Sequence, residues 1–295
     1  MSVVTPQTPD AGRRPEFERE PLDAAGIGEI ERPLPLIERI VHDDTVQRVG
    51  ILLALVLCWE LYARWLDNAL LFPTFTETMG VFGGDIASGV LPDRILTSLK
   101  SLAIGYAAGV ALAGVFTTIA VASAIGTRLL STLTAMFNPL PAIALLPLAL
   151  IWFGLGNASL IFVLVHAVLW SVALNTHAGF RGVSETLRMV GRNYGLSGAR
   201  YVTKILVPAA LPGILTGLKI GWAFAWRTLI AAELVFGVSS GSGGLGWFIF
   251  ENKNQLETAS VFAGLLTVIM IGLAVENLVF RTVERATIHK WGMEH

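Results

Sequence analysis

The chain has 295 residues, 54% of them hydrophobic and 15% charged, with a mean hydropathy of +0.64. Soluble domains carry about 25% charged residues, so this balance points to the bilayer. A net charge of −1 and a pI near 6.5 exclude the basic balance of a nucleic-acid binder. The single cysteine, Cys58 in an apolar run, excludes an internal disulfide and a cysteine-based zinc cluster.

Residues 1–45 are rich in Pro, Glu and Arg and read as a mobile cytoplasmic tail, because so few apolar side chains cannot offset chain entropy. Leu34, Leu36, Ile37, Ile40 and Val41 leave a short interfacial helix as the other reading. The first apolar run starts near residue 49, behind charged sequence, without the short basic start and small-residue cleavage site of a secretory signal. It reads as a retained membrane helix.

A hydrocarbon core of about 30 Å needs roughly 20 apolar residues per helix. Six stretches satisfy this, near 48–66, 97–122, 129–152, 158–178, 208–236 and 257–280. The expected fold is therefore all-α and polytopic, with a membrane domain over 46–285, a polar loop at 179–207 and a C-terminal tail at 286–295.

Lys and Arg segregate across alternate loops. With the N-terminus inside, the cytoplasmic side holds the tail arginines, Arg128, the loop cluster Arg181, Arg188, Arg192, Arg200 and Lys204, and then Arg281, Arg285 and Lys290. The outer side keeps Arg64, Arg94, Lys100 and Lys253. Both termini are expected in the cytoplasm.

The third span contains Pro139, Pro141 and Pro147, each of which removes a helix hydrogen bond. Such a break survives in lipid where protein or a water-filled cavity satisfies the freed backbone. Pro141 and Pro147 are accordingly candidates for a pathway wall, a packing kink being the other reading.

Charges inside spans are costly, and each needs a reason. Glu60 and Arg64, four apart, are expected to pair with each other, and Lys219 to snorkel toward the cytoplasmic surface. Arg227 and Glu233 stand six apart on the fifth span and cannot face each other. Arg227 either faces the pathway, where a planar guanidinium suits an oxyanion, or forms a salt bridge to Glu60 or Glu276. Glu233, His166 and Trp226 join the pathway candidates, although a core histidine and a packing tryptophan are the plainer readings of the last two.

Between Val183 and Pro208 the polar loop has a helical pattern, with apolar Val183, Leu187 and Val190 followed by Gly191, Gly195 and Gly198. It reads as helix, turn, helix, with Ser197 available as a cap. Gly195, nine residues, Ile205, Leu206, Val207 and Pro208 resemble the cytoplasmic Glu-Ala-Ala loop of binding-protein-dependent ABC importer permeases, with Met189-Val190-Gly191 in place of the Glu-Ala-Ala triplet. Leu146 to Gly156, with Ile151-Trp152-Phe153-Gly154, is similar to the nitrate, sulfonate, taurine and bicarbonate group of these permeases. So are Leu215 to Gly221, Trp226 to Leu234, and the glycines from Gly241 to Gly246.

The resemblance covers about residues 48–285 and implies a type I ABC importer permease in a bacterial inner membrane. It implies pairing with a second, identical copy, two ATPase subunits that carry ATP and Mg, and an extracytoplasmic substrate-binding protein, with no cofactor on this chain. It also implies that the loop docks on the ATPase, with Arg192, Asn193, Tyr194, Gly195, Leu196 and Arg200 as the contact residues. The implied cargo is a small oxyanion such as an aliphatic sulfonate, taurine, nitrate or bicarbonate.

An enzyme reading has little support. None of the five lysines follows a glycine, so no Walker loop is present, and no His-Glu-x-x-His or carboxylate cluster with metal-ligand spacing occurs. A secondary anion transporter is the stronger rival. It would have no use for a patterned docking loop.

Overall fold

The computed structural model describes residues 43–236 and 243–290. The tail reading for the first 42 residues, the start of the expected glycine-rich stretch at residues 241 and 242, and the last five residues lie outside the described residues. All described elements are helical.

The chain divides into two units, 1–55 and 56–295. In the first, the described residues open helix α1 (Asp44–Leu66), where Asp43 Oδ1 accepts the amides of Thr45 at 2.7 Å and Val46 at 3.2 Å. These bonds satisfy donors that a helix start leaves unpaired.

The second unit continues with α2 (Phe75–Ala87), α3 (Val90–Ala122), α4 (Ala124–Phe137), a 3₁₀ turn at Ala142–Leu145 and α5 (Leu146–Phe153). Then come α6 (Asn157–Gly182), α7 (Glu185–Asn193), α8 (Gly198–Tyr201), α9 (Val207–Phe236), α10 (Leu245–Asn254), α11 (Thr258–Ala274) and α12 (Arg281–Glu284). Two π-helical segments join α11 through α12 to His289, so helix runs four residues into the expected C-terminal tail.

Two helices, α2 and α10, escaped the search for spans because 13 and 10 residues are too few to cross a bilayer. The start of α2 was nonetheless written in the sequence. Thr74 Oγ1 accepts from Glu77 N at 3.1 Å while Glu77 Oε2 accepts from Thr74 N at 2.9 Å, a reciprocal capping box. Glu60 makes its expected pair with Arg64 at 2.6 Å and also accepts from Thr76 N and Oγ1, tying α1 to α2.

Packing order fixes the topology. Gly105 and Gly109 of α3 lie against Leu164 and Val168 of α6, and Phe116 of α3 meets Trp170 of α6, so these helices run parallel. The chain leaving α3 must therefore return across the bilayer before α6 begins. The α4–α5 pair makes that crossing with an 86° bend, which gives six spans. Against them α9 runs antiparallel: Ser98 meets Glu233, the Tyr106 hydroxyl donates to Leu218 O at 2.9 Å, and Gly213 meets Gly179.

Lipid tails are as apolar as leucine, so helices in a bilayer associate through close packing rather than by expelling water. At the α6–α9 crossing a Cβ on Gly213 would stand 2.7 Å from Gly179 Cα, so only glycine permits this approach. The buried core around Leu102, Leu164, Val168, Ala225, Leu229 and Phe248 links α3, α6, α9 and α10. Faces turned outward, such as Ile104, Val115, Ile269 and Leu273, are apolar and exposed, as a lipid-facing surface requires.

Candidate functional site

The proline-rich break between α4 and α5 opens a cavity of about 310 Å³. Asn138, Pro139, Leu140 and Pro141 form one wall, His166 and Trp170 of α6 a second, and Phe224, Arg227 and Thr228 of α9 a third. Of the candidates read from sequence, Pro141, His166 and Arg227 meet here. Pro147 does not: it occupies the first turn of α5, where a missing amide costs nothing.

Arg227 has its Nε bonded to Ala223 O of its own helix at 3.1 Å, and its guanidinium lies 5.2 Å from the centroid of Phe224. The two salt bridges considered for it do not form. Glu60 is held by Arg64, and Glu276 by Lys219 at 2.6 Å, with Glu284 at 3.5 Å from the same ammonium. No acidic residue lines the cavity.

Phe137 stacks on Trp170 at 5.2 Å, and His166 stands edge-on to both rings. Both ring nitrogens of His166 and Nε1 of Trp170 are buried without a hydrogen-bond partner. Buried polar groups are nearly always paired, so three unpaired atoms on residues that line one cavity call for an explanation.

Glu233 and Trp226 have other surroundings. Trp226 is buried between α9 and α11, its Nε1 donating to Val268 O at 3.3 Å and its ring stacked on Trp222. Glu233 is 4% exposed and holds the start of α10. It accepts from Gly246 N at 2.9 Å and from Ser98 Oγ at 2.8 Å, while Ser98 Oγ accepts from Leu245 N at 2.8 Å. A carboxyl group at a helix N-terminus accepts from amides that the helix itself leaves without partners.

Truncating Glu233 to Ala leaves those donors buried and unpaired. We expect Glu233→Ala to lose about 2 kcal/mol or more of stability, from about 1–3 kcal/mol per orphaned group, read by denaturant unfolding in detergent. Unchanged stability would contradict this holding role.

The polar loop forms the helix, turn, helix expected of it, and its first helix is capped by Ser184, whose Oγ accepts from Leu187 N at 3.4 Å. Gly195 ends α7 at φ +71°, its amide donating to Arg192 O while Leu196 N donates to Gly191 O. That pair of bonds is a Schellman motif, whose left-handed residue is best supplied by glycine. Gly191 is buried because Tyr201 and Ile205 pack over it.

Arg188 fastens α7 to the membrane domain. Its Nη2 donates to Phe180 O at 2.7 Å and its Nε to Val183 O at 3.2 Å, both at the end of α6. Arg192, Asn193, Tyr194, Gly195 and Arg200 are exposed and Leu196 is half-buried. Tyr194 is 80% exposed, and Leu187, Met189 and Val190 add an uncovered apolar face. Sequence periodicity grouped Val183, Leu187 and Val190 as one face, but only Val183 is buried.

The sequence profile of the binding-protein-dependent transport system inner membrane component family matches residues 88–287. The chain belongs to that family. This permease is similar to the nitrate import permease protein of Synechocystis, at 28% identity over 91% of this chain and 94% of that protein. It is also similar to an aliphatic sulfonates transport permease protein of Escherichia coli, at 30% identity over 74% of this chain and 82% of that protein. The taurine transport system permease protein of Escherichia coli is 34% identical over 53% of this chain and 55% of its own length. The permease is thus a multi-pass inner-membrane protein.

Asn138, Trp170 and Thr228 line the cavity without having been singled out from sequence. Each carried a readable signal. Asn138 precedes the first proline of the break, Trp170 stands one helical turn from His166, and Thr228 adjoins Arg227.

Proposed function

We propose that this permease forms the translocation pathway of an ATP-driven importer for a small oxyanion, with sulfonate, taurine, nitrate and bicarbonate as the cargo classes. The observation that carries this reading is the cavity at the broken span, where Arg227 stands without a facing carboxylate and His166 and Trp170 offer unpaired polar atoms. Arg supplies parallel N–H donors that match an oxyanion. The names of the relatives for nitrate, aliphatic sulfonates and taurine agree with that chemistry.

ATP hydrolysis is assigned to a separate pair of ATPase chains with Mg, docked on α7 through Tyr194, Arg192 and their neighbours. A second identical permease completes the pathway, and an extracytoplasmic binding protein delivers cargo. Both termini face the cytoplasm. Family membership disfavours a secondary transporter, which would not need α7 as a docking element.

The test of the partner assignment is a mild-detergent pull-down of tagged permease from its native membrane. A Walker-motif ATPase recovered in equal amount is the expected result. Recovery of the permease alone, under conditions that preserve a control importer, would restore the secondary-transporter reading.

A further inference from the structure

A second cavity, of about 410 Å³, opens where α3, α4, α6 and α7 meet at the end of the bundle that carries the polar loop. Three arginines from three helices line it: Arg128 of α4, Arg181 of α6 and Arg188 of α7. His177, buried at 9% exposure, stands beside them, and no acidic residue lines the cavity. Arg188 is bonded to the carbonyls that end α6, whereas Arg128 and Arg181 form no ion pair among the described residues.

Three like charges around one concavity repel one another, and an anion held among them would relieve that repulsion. The rim of the cavity is apolar, formed by Val121, Ala124 and Phe180, with Val121 and Ala124 exposed. A free inorganic anion has no use for such a rim. An acyl chain does.

We infer that this cavity binds the phosphodiester headgroup of an anionic phospholipid of the cytoplasmic leaflet, its acyl chains leaving over Val121 and Ala124. Guanidinium groups pair with phosphate through parallel hydrogen bonds, and basic pockets between spans on the cytoplasmic side favour such headgroups. The cytoplasmic placement rests on the orientation proposed above. Because Arg188 belongs to α7, a bound headgroup would join the docking helix to the lipid as well as to α6.

The experiment is native mass spectrometry of the full chain in mild detergent, titrated with phosphatidylglycerol, with phosphatidylethanolamine, or with inorganic phosphate. It does not depend on orientation or on the ATPase. Wild-type protein is expected to retain phosphatidylglycerol over phosphatidylethanolamine, and Arg128→Gln with Arg181→Gln to weaken that retention by about tenfold. Arg285→Gln, which removes an exposed cation elsewhere, is expected to change it by about twofold at most.

Equal retention of the two lipids, or an equal loss in the Arg285→Gln control, would overturn the site. Displacement of phosphatidylglycerol by inorganic phosphate would make a free anion the occupant and overturn the lipid assignment. The single Arg128→Gln variant keeps the test open if the double variant does not fold, because its side chain bonds no other described group.

Discussion

Replacing Arg227 by Ala is expected to lower oxyanion uptake by about 10–100-fold in proteoliposomes, from the roughly 1.5–3 kcal/mol of a hydrogen bond to a charged group. The side chain can be lost without unfolding, since it is exposed and its one described hydrogen bond runs to Ala223 of its own helix. Arg227→Lys should recover part of the uptake: it restores the charge but not the planar pair of donors. A neutral solute should be affected far less than an anion. If both solutes slow equally, Arg227 shapes the cavity and does not recognise its cargo.

The Tyr194→Ala, Arg192→Glu double variant is expected to release the ATPase, weakening association by at least about 30-fold if either residue is an interface anchor of about 2 kcal/mol or more. Both side chains are exposed, and among the described residues Tyr194 holds no other group through its ring or hydroxyl. Membrane insertion and thermal stability should therefore stay near wild type. Association and uptake at wild-type levels would dismiss this end of α7 as the docking point. Loss of transport with the ATPase still bound would locate the defect in transmission of force.

The spans were legible because a bilayer imposes a length and an apolarity on any helix that crosses it, and α3, α6, α9 and α11 carry both. The broken third span was legible through its prolines, and its angle was not: sequence shows that hydrogen bonds are missing at Pro139 and Pro141, whereas the 86° bend depends on what packs beside them. Glu60 and Arg64 were readable because their partner lay one turn away. Glu233 was not, because its partners Ser98 and Gly246 are set by tertiary packing.

The loop shows the same division. Gly195 announced a turn, and the Schellman bonds show why glycine belongs there. Arg188 looked like one more basic residue of the cytoplasmic surface. Its bonds to Phe180 and Val183 depend on where α6 ends, which no local pattern reveals.

Those two bonds leave no slack between the end of α6 and α7. The distance along α6 from Arg181 to His166 is about 22 Å at 1.5 Å per residue. If the ATPase docks at Tyr194 as proposed, a push there would reach α6 through Arg188 rather than being absorbed by a slack loop. Each degree of tilt shifts the His166 wall of the cavity by about 0.4 Å over that length. Rotation by about 4 degrees would thus move the wall by about the radius of a water molecule, so on the proposed docking a small stroke at α7 would be enough to change the width of the space beside Arg227.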